Sequence, residues 1–205
     1  MHLKTSDIEQ MDRIRRLNII NSVTGIKPAN LVGTRSADGI SNLAIFSSVV
    51  HLGSNPPVLG MVLRPRTEVR RHTFENLEQS GVYTLNHVPL SHVQAAHQTS
   101  ARYLKDVSEF GACGFTEEYL PGFSAPFVAE SKLKLGMQLE ELIPITINDT
   151  LLVVGRILHL IAPDNAFDDE GHLDLGQLGS AGISGLNSYY SLRKEAKFPY
   201  ARVGD

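Results

Sequence analysis

One cysteine, Cys113, in 205 residues leaves no internal disulfide, so the fold must rest on its own core. The opening stretch Met1-His-Leu-Lys-Thr-Ser6 has no apolar segment of the kind that directs secretion, and the expected compartment is the cytoplasm. Long apolar runs are missing too. The best, Leu151 to Val154, is broken by Gly155 and Arg156 and falls far short of the ~20 residues that span a bilayer, so no membrane role is expected. A basic excess is also lacking: 19 Lys and Arg stand against 22 Asp and Glu, a net charge of -3, which weighs against a nucleic-acid surface.

Familiar catalytic signatures are equally scarce. Cys113 lies in Gly-Ala-Cys-Gly with no readable activating partner, and there is no G-x-S-x-G elbow. The glycines 176, 179, 182 and 185 never form G-x-G-x-x-G or a P-loop. His92 and His97, if on one helix, are turned apart by roughly 140°, and no cysteine or carboxylate cluster joins them or His87 to complete a metal shell. No metal site is expected and no catalytic acid, base or nucleophile is assigned.

What is present is a β-rich grammar. Ile8, Met11, Ile14, Leu17 and Ile20 have helical spacing and predict a leading helix. Short strand-like runs follow at 30–35, 40–50, 58–64 and 82–88, interrupted by a helical insert over 73–80, with Thr73 as its N-cap, Glu75 in its first turn and Gly81 closing it. Ser91 to Thr99 reads as a second short helix. Strand character returns at 133–139, 143–147 and 151–162, with Asn148-Asp149 as a hairpin signal. Many short strands without regular alternation of helices favour an antiparallel barrel over a parallel nucleotide-binding sheet. The expected organisation is one domain over 1–205, with a leading helical segment at 1–28 and a C-terminal extension at 171–205.

Two stretches carry chemical interest. In Asn42-Leu-Ala-Ile-Phe-Ser-Ser-Val-Val50, alternation sets Asn42, Ala44, Phe46 and Ser48 on one face and Leu43, Ile45, Ser47 and Val49 on the other. The first face, with an amide, a methyl and a hydroxyl, suits close approach of a flat ring, although a plain sandwich strand would read similarly. Between Arg64 and His72 the chain reads Arg-Pro-Arg-Thr-Glu-Val-Arg-Arg-His, placed after a strand and before a helix. Such a cluster can hold a phosphate through bidentate guanidinium bonds and free helix N–H groups, or it can be a solvated surface loop. Also notable are His97-Gln-Thr-Ser100, Ser108-Glu-Phe110, Tyr189-Tyr190 to Arg193, and Tyr200-Ala-Arg202.

In their order and spacing, Asp38-Gly39, Asn42 with Ala44 and the Ser47-Ser48 pair, Pro56-Pro57, His72-Thr73 with Asn76, and Gly81 leading to Thr84–Asn86 resemble the flavin reductase-like family. The resemblance implies a mainly β fold with peripheral helices, an antiparallel split β-barrel that binds FMN, with FAD as an alternative. It implies that Asn42, Ala44, Ser47 and Ser48 surround the flavin ring and ribityl chain. Arg66 and Thr67, with Arg64, Arg70 and Thr73, would hold the phosphate. It further implies a homodimer, NADH or NADPH as transient hydride donor, and an oxygenase that receives the reduced flavin. The alternative is a flavin-binding electron carrier or redox sensor that is not an enzyme.

Overall fold

The computed structural model describes residues 1–65 and 70–204. Helices α1 (Thr5–Glu9) and α2 (Arg13–Ser22) precede the short strand β1 (Lys27–Pro28). The single leading helix expected from periodicity is divided at Asp12. Its carboxylate accepts the N–H groups of Ile14 and Arg15 at 2.9 and 3.2 Å, so a second helix starts there.

The strands β2 (Asn30–Arg35), β3 (Ser41–Phe46), β4 (Val49–Ser54) and β5 (Pro57–Leu63) lead to helix α3 (His72–Ser80) and strand β6 (Val82–His87). After β6 come α4 (Val93–Gln98), α5 (Glu109–Cys113), the small pair β7 (Glu117–Glu118) and β8 (Phe127–Val128), and the long hairpin β9 (Lys134–Ile145) and β10 (Thr150–Ile161). The C-terminal strands β11 (Ala181–Ser184) and β12 (Ser188–Ser191) join β1 in a small sheet.

The main sheet is antiparallel, in the order β3-β2-β6-β9-β10-β5-β4. Its two edge strands, β3 and β4, are consecutive in the chain and separated only by Ser47 and Ser48, so the sheet must curl until its edges meet at that corner. Ser48 secures the corner. Its hydroxyl donates to the Val62 carbonyl at 2.9 Å and accepts the Val62 N–H at 3.2 Å, replacing the ladder bonds that the turn breaks. The continuous strand expected over 40–50 is therefore two strands in one split barrel.

Alternation along the strands sorts two cores. The barrel interior holds Val32, Met61, Leu63, Tyr83, Leu85, Met137 and Val153, closed by Phe74 and Leu77 of α3. Outside β2 and β3, Leu31 and Leu43 pack with Ala96, Phe110, Val128 and Ile183 from the helices and the small sheet. Phe46 and Val49 share the interior core, whereas unbroken alternation would have separated them; the corner at Ser47-Ser48 resets the register. At the far end, β9 runs unbroken through Glu140-Glu141, where two strands were expected, because Arg156 on the neighbouring β10 pairs with Glu140 at 2.6 Å and a bulge takes up the extra residue. Among the described residues no helix is long and apolar enough to cross a membrane.

Candidate functional site

β3 is an edge strand, so half of its backbone polar groups have no neighbouring strand. Asn42, Ala44 and Phe46 lie opposite Thr34, Val32 and Asn30 of β2. The Leu43 N–H turns the other way and donates to Glu109 Oε2 at 2.9 Å. In an antiparallel strand the N–H and C=O of a residue leave on the same side, and that side alternates. The N–H and C=O of Ile45, two residues on, therefore also point off the free edge, offering a donor and an acceptor side by side.

The inner face of the same strand is fixed to α3. Asn42 Nδ2 donates to Thr73 Oγ1 and Asn76 Nδ2 to Thr34 Oγ1, each at 3.1 Å and each buried. These bonds explain why Thr73 is not the helix cap: the helix starts one residue earlier, and the Thr73 hydroxyl turns inward to Asn42. Arg71 occupies the cap position, and no side chain caps the first turn. Gly81 closes the helix in the left-handed conformation, φ 68°, as expected. A narrow cleft opens beside this junction, lined by Ile40, Ser41, Asn42, His72, Glu75 and Lys105.

Positive charge gathers nearby, with a division of labour that the basic run did not reveal. Arg70 is neutralised by a bidentate pair with Glu75, at 2.6 and 2.8 Å, on the exposed face of α3. Arg71 is the opposite case: its Nε is buried with no hydrogen-bond partner among the described residues. Its guanidinium is held below its ordinary value, first by burial and then by the positive charges of Arg64 and Arg102. An anion would relieve all three. Arg66 and Thr67 lie outside the described residues.

The remaining expected positions are also placed. Ala44 is half-buried opposite Val32. Ser48 is committed to β5, whereas the Ser47 hydroxyl, half-buried in the corner, has no hydrogen bond among the described residues. Asn42 and Thr73 thus meet directly, and Ser48 sits across from Val62, two residues before Arg64. Arg71 and Arg102 were not singled out from the sequence, and Glu109 only as part of Ser108-Glu-Phe110, with no role. Arg71 was one of several arginines in a run, while Arg102, from a loop, and Glu109, from the start of α5, reach the site by positions that only the fold determines.

Around the cleft mouth, Ser41 Oγ bonds to Ser108 Oγ at 2.6 Å and to Glu117, while the Tyr119 hydroxyl donates to Glu117 at 2.6 Å. Burial, reinforced by Glu117, pushes the Tyr119 hydroxyl up to about 12. His87, the last residue of β6, is neutral at physiological pH because burial lowers its pKa to about 4, and its Nδ1 has no partner among the described residues. Among the described residues no group of three or more His, Cys, Asp and Glu side chains is placed to hold a metal ion.

Comparison with known proteins gives this geometry a context. A solved structure of a proposed flavin reductase with a split barrel domain from Shewanella frigidimarina is 49% identical, covers 98% of this chain and 100% of that chain, and superposes with a TM-score of 0.94. Nitrilotriacetate monooxygenase component B from Bacillus cereus shares the fold at 18% identity, with 97% and 98% coverage and a TM-score of 0.84. An FMN-binding domain of a flavin reductase-like enzyme from Shewanella baltica matches at 25% identity, with 84% and 89% coverage and a TM-score of 0.66. Residues 26–176 match the flavin reductase like domain, a span that takes in the whole main sheet and the cleft. The chain belongs to the flavin reductase-like family of split-barrel proteins.

Proposed function

We propose that the protein binds FMN along the free edge of β3 and transfers hydride from NADH or NADPH to flavin. The observation that carries this reading is the outward-facing edge of β3, where Leu43 is held by Glu109 and Ile45, by alternation, follows with no hydrogen bond off the sheet among the described residues, beside the Asn42–Thr73 junction and the grouped Arg64, Arg71 and Arg102. A flavin's pyrimidine edge is a planar row of acceptors and one donor, and a strand edge with adjacent N–H and C=O groups matches it. The clustered guanidinium groups suit a terminal phosphate, with which Arg forms bidentate bonds. Arg66 and Thr67 belong to the same proposed phosphate site.

A bound flavin supplies the two-electron acceptor for the nicotinamide hydride. The chain itself fixes ring and phosphate and leaves one ring face open to the donor. No side-chain acid or base is needed for that step. The nitrilotriacetate monooxygenase component suggests the outlet: an oxygenase that receives reduced flavin from this protein.

The proposed working form is a homodimer. The outer face of β4, β5 and β10 exposes Val50 and Leu52, and no residue of α2 is buried. Exposed apolar surface of this kind marks an interface.

The test is anaerobic mixing of FMN-loaded protein with NADH and with NADPH, following loss of the visible flavin absorbance. Rapid bleaching with either donor supports the reductase. Protein that retains FMN yet is not bleached by either donor is an electron carrier or sensor, and protein that takes up no FMN rejects the flavin reading.

A further inference from the structure

Glu109 is a buried carboxylate with no use in the reading above. It is 6% exposed, and among the described residues no Lys, Arg or His forms an ion pair with it. Its pKa is raised by burial, opposed by the N–H groups of Leu43 and of Glu109 itself and by the charge of His72. Burying a charge without a counterion is costly, and a neutral amide or hydroxyl could accept the Leu43 N–H at lower cost. The bond alone does not explain the carboxylate.

Its location does offer an explanation. The Ser108-Glu109 segment lies along the outer edge of β3: Ser108 holds Ser41 at 2.6 Å and Glu109 holds Leu43 at 2.9 Å. The next outward groups are those of Ile45. The same loop carries Arg102 and Lys105, so the latch also sets where these cations stand relative to the cleft.

The geometry points to Glu109 as a positioning residue for the cofactor edge, one that pins β3 beside the Ile45 groups and places a carboxyl group there. This inference rests on the flavin reading. It goes beyond it in giving this segment a redox role: an ionised carboxyl beside a bound flavin would oppose the arrival of electrons and hold the flavin potential down.

Two variants test it. In Glu109→Ala the Leu43 amide of flavin-free protein should exchange with solvent faster than in wild type, and FMN affinity, read by fluorescence titration, should fall about tenfold. Glu109→Gln keeps an oxygen for Leu43 but removes the charge. It should bind FMN within about threefold of wild type and show a more positive flavin midpoint potential. Thermal unfolding of both variants separates these effects from loss of fold, and if the alanine variant does not fold the glutamine variant decides alone. An unchanged potential in Glu109→Gln, or unchanged Leu43 exchange in Glu109→Ala, overturns the inference. Wild-type protein that fails to take up FMN overturns the function and this role together, whereas wild-type binding with unaltered variants overturns the role only.

Discussion

The two flanks of the curled sheet are built from similar strands and treated in opposite ways. On the β2–β3–β6 flank the chain covers its own outer surface: Leu31 and Leu43 are fully buried beneath Phe110, Val128 and Ile183, and loop residues Ser108 and Glu109 close the β3 edge as far as Leu43. On the β4–β5–β10 flank, Val50 and Leu52 are 47% and 45% exposed, and Gly60 faces only the ends of the Leu52, Leu152 and Val50 side chains. A covered flank is rigid enough to hold a site. An apolar open flank is suited to receive another molecule. The polar groups assigned to the cofactor lie on the first flank or at the corner where the two meet.

The largest effect should separate the flanks by glycine substitution. A methyl at Gly33 would fall on the Pro126 carbonyl and the Thr84 hydroxyl, a backbone group and a bonded side chain that cannot easily move. Gly33→Ala should cost about 3 kcal/mol or more. At Gly60 the methyl would stand 3.1–3.2 Å from flexible Leu and Val termini, so Gly60→Ala should cost below about 1 kcal/mol. Urea unfolding midpoints measure both, and equal losses would show that the open flank is packed as tightly as the closed one.

Next comes the role of the open flank. Leu52→Asp should leave a folded chain but weaken self-association by about 2–3 kcal/mol, seen as a shift from dimer to monomer by light scattering at micromolar concentration. A wild-type protein that is monomeric throughout that range removes the homodimer from the proposal.

The acid response probes the covered flank. His87 is neutral when folded, with its pKa pulled from the ordinary 6.5 to about 4. The unfolded chain therefore binds the extra proton first. The contribution to stability is complete above about pH 6.5 and is lost as pH falls toward 4, amounting to about 3 kcal/mol. Glu109, with its raised value, acts in the opposite sense, since its protonated form is favoured in the fold. His87→Phe should flatten the fall in stability between pH 6.5 and 4, and an unchanged profile would place the acid sensitivity elsewhere.

Local chemistry made much of the fold readable. Asp38-Gly39 turns β2 into β3, Gly81 ends α3, and Asp149 takes the left-handed conformation, φ 55°, between β9 and β10. Asp12, a good cap, was passed over because apolar spacing continued across it. What escaped reading depended on distance in the chain. The break at Ser47-Ser48 is held by Val62, 14 residues away, and β9 keeps its acidic middle because of an arginine on β10. Asn42 was recognisable as a polar position on a strand, but its partner Thr73 was assigned to a cap. Arg102 gave no local signal, and Ser108-Glu-Phe110 stood out without showing that Glu109 reaches Leu43.

The smallest effect is the most discriminating, because it sets adjacent arginines against each other. Arg70 points outward and is matched by Glu75, an exposed and solvent-screened pair of little weight for the fold. Arg71 is half-buried, its Nε unpartnered among the described residues, beside two further positive charges. If the cluster receives the flavin phosphate, Arg71→Ala should weaken FMN binding about tenfold, while riboflavin, which has no phosphate, binds as before. Arg70→Ala should change neither ligand by more than about twofold. Comparing FMN with riboflavin cancels any general loosening of the site, since a disturbed β3 edge would weaken both. Equal losses for the two arginines would mean that Glu75 releases Arg70 when FMN binds, and that the exposed face of α3, rather than its buried start, meets the phosphate.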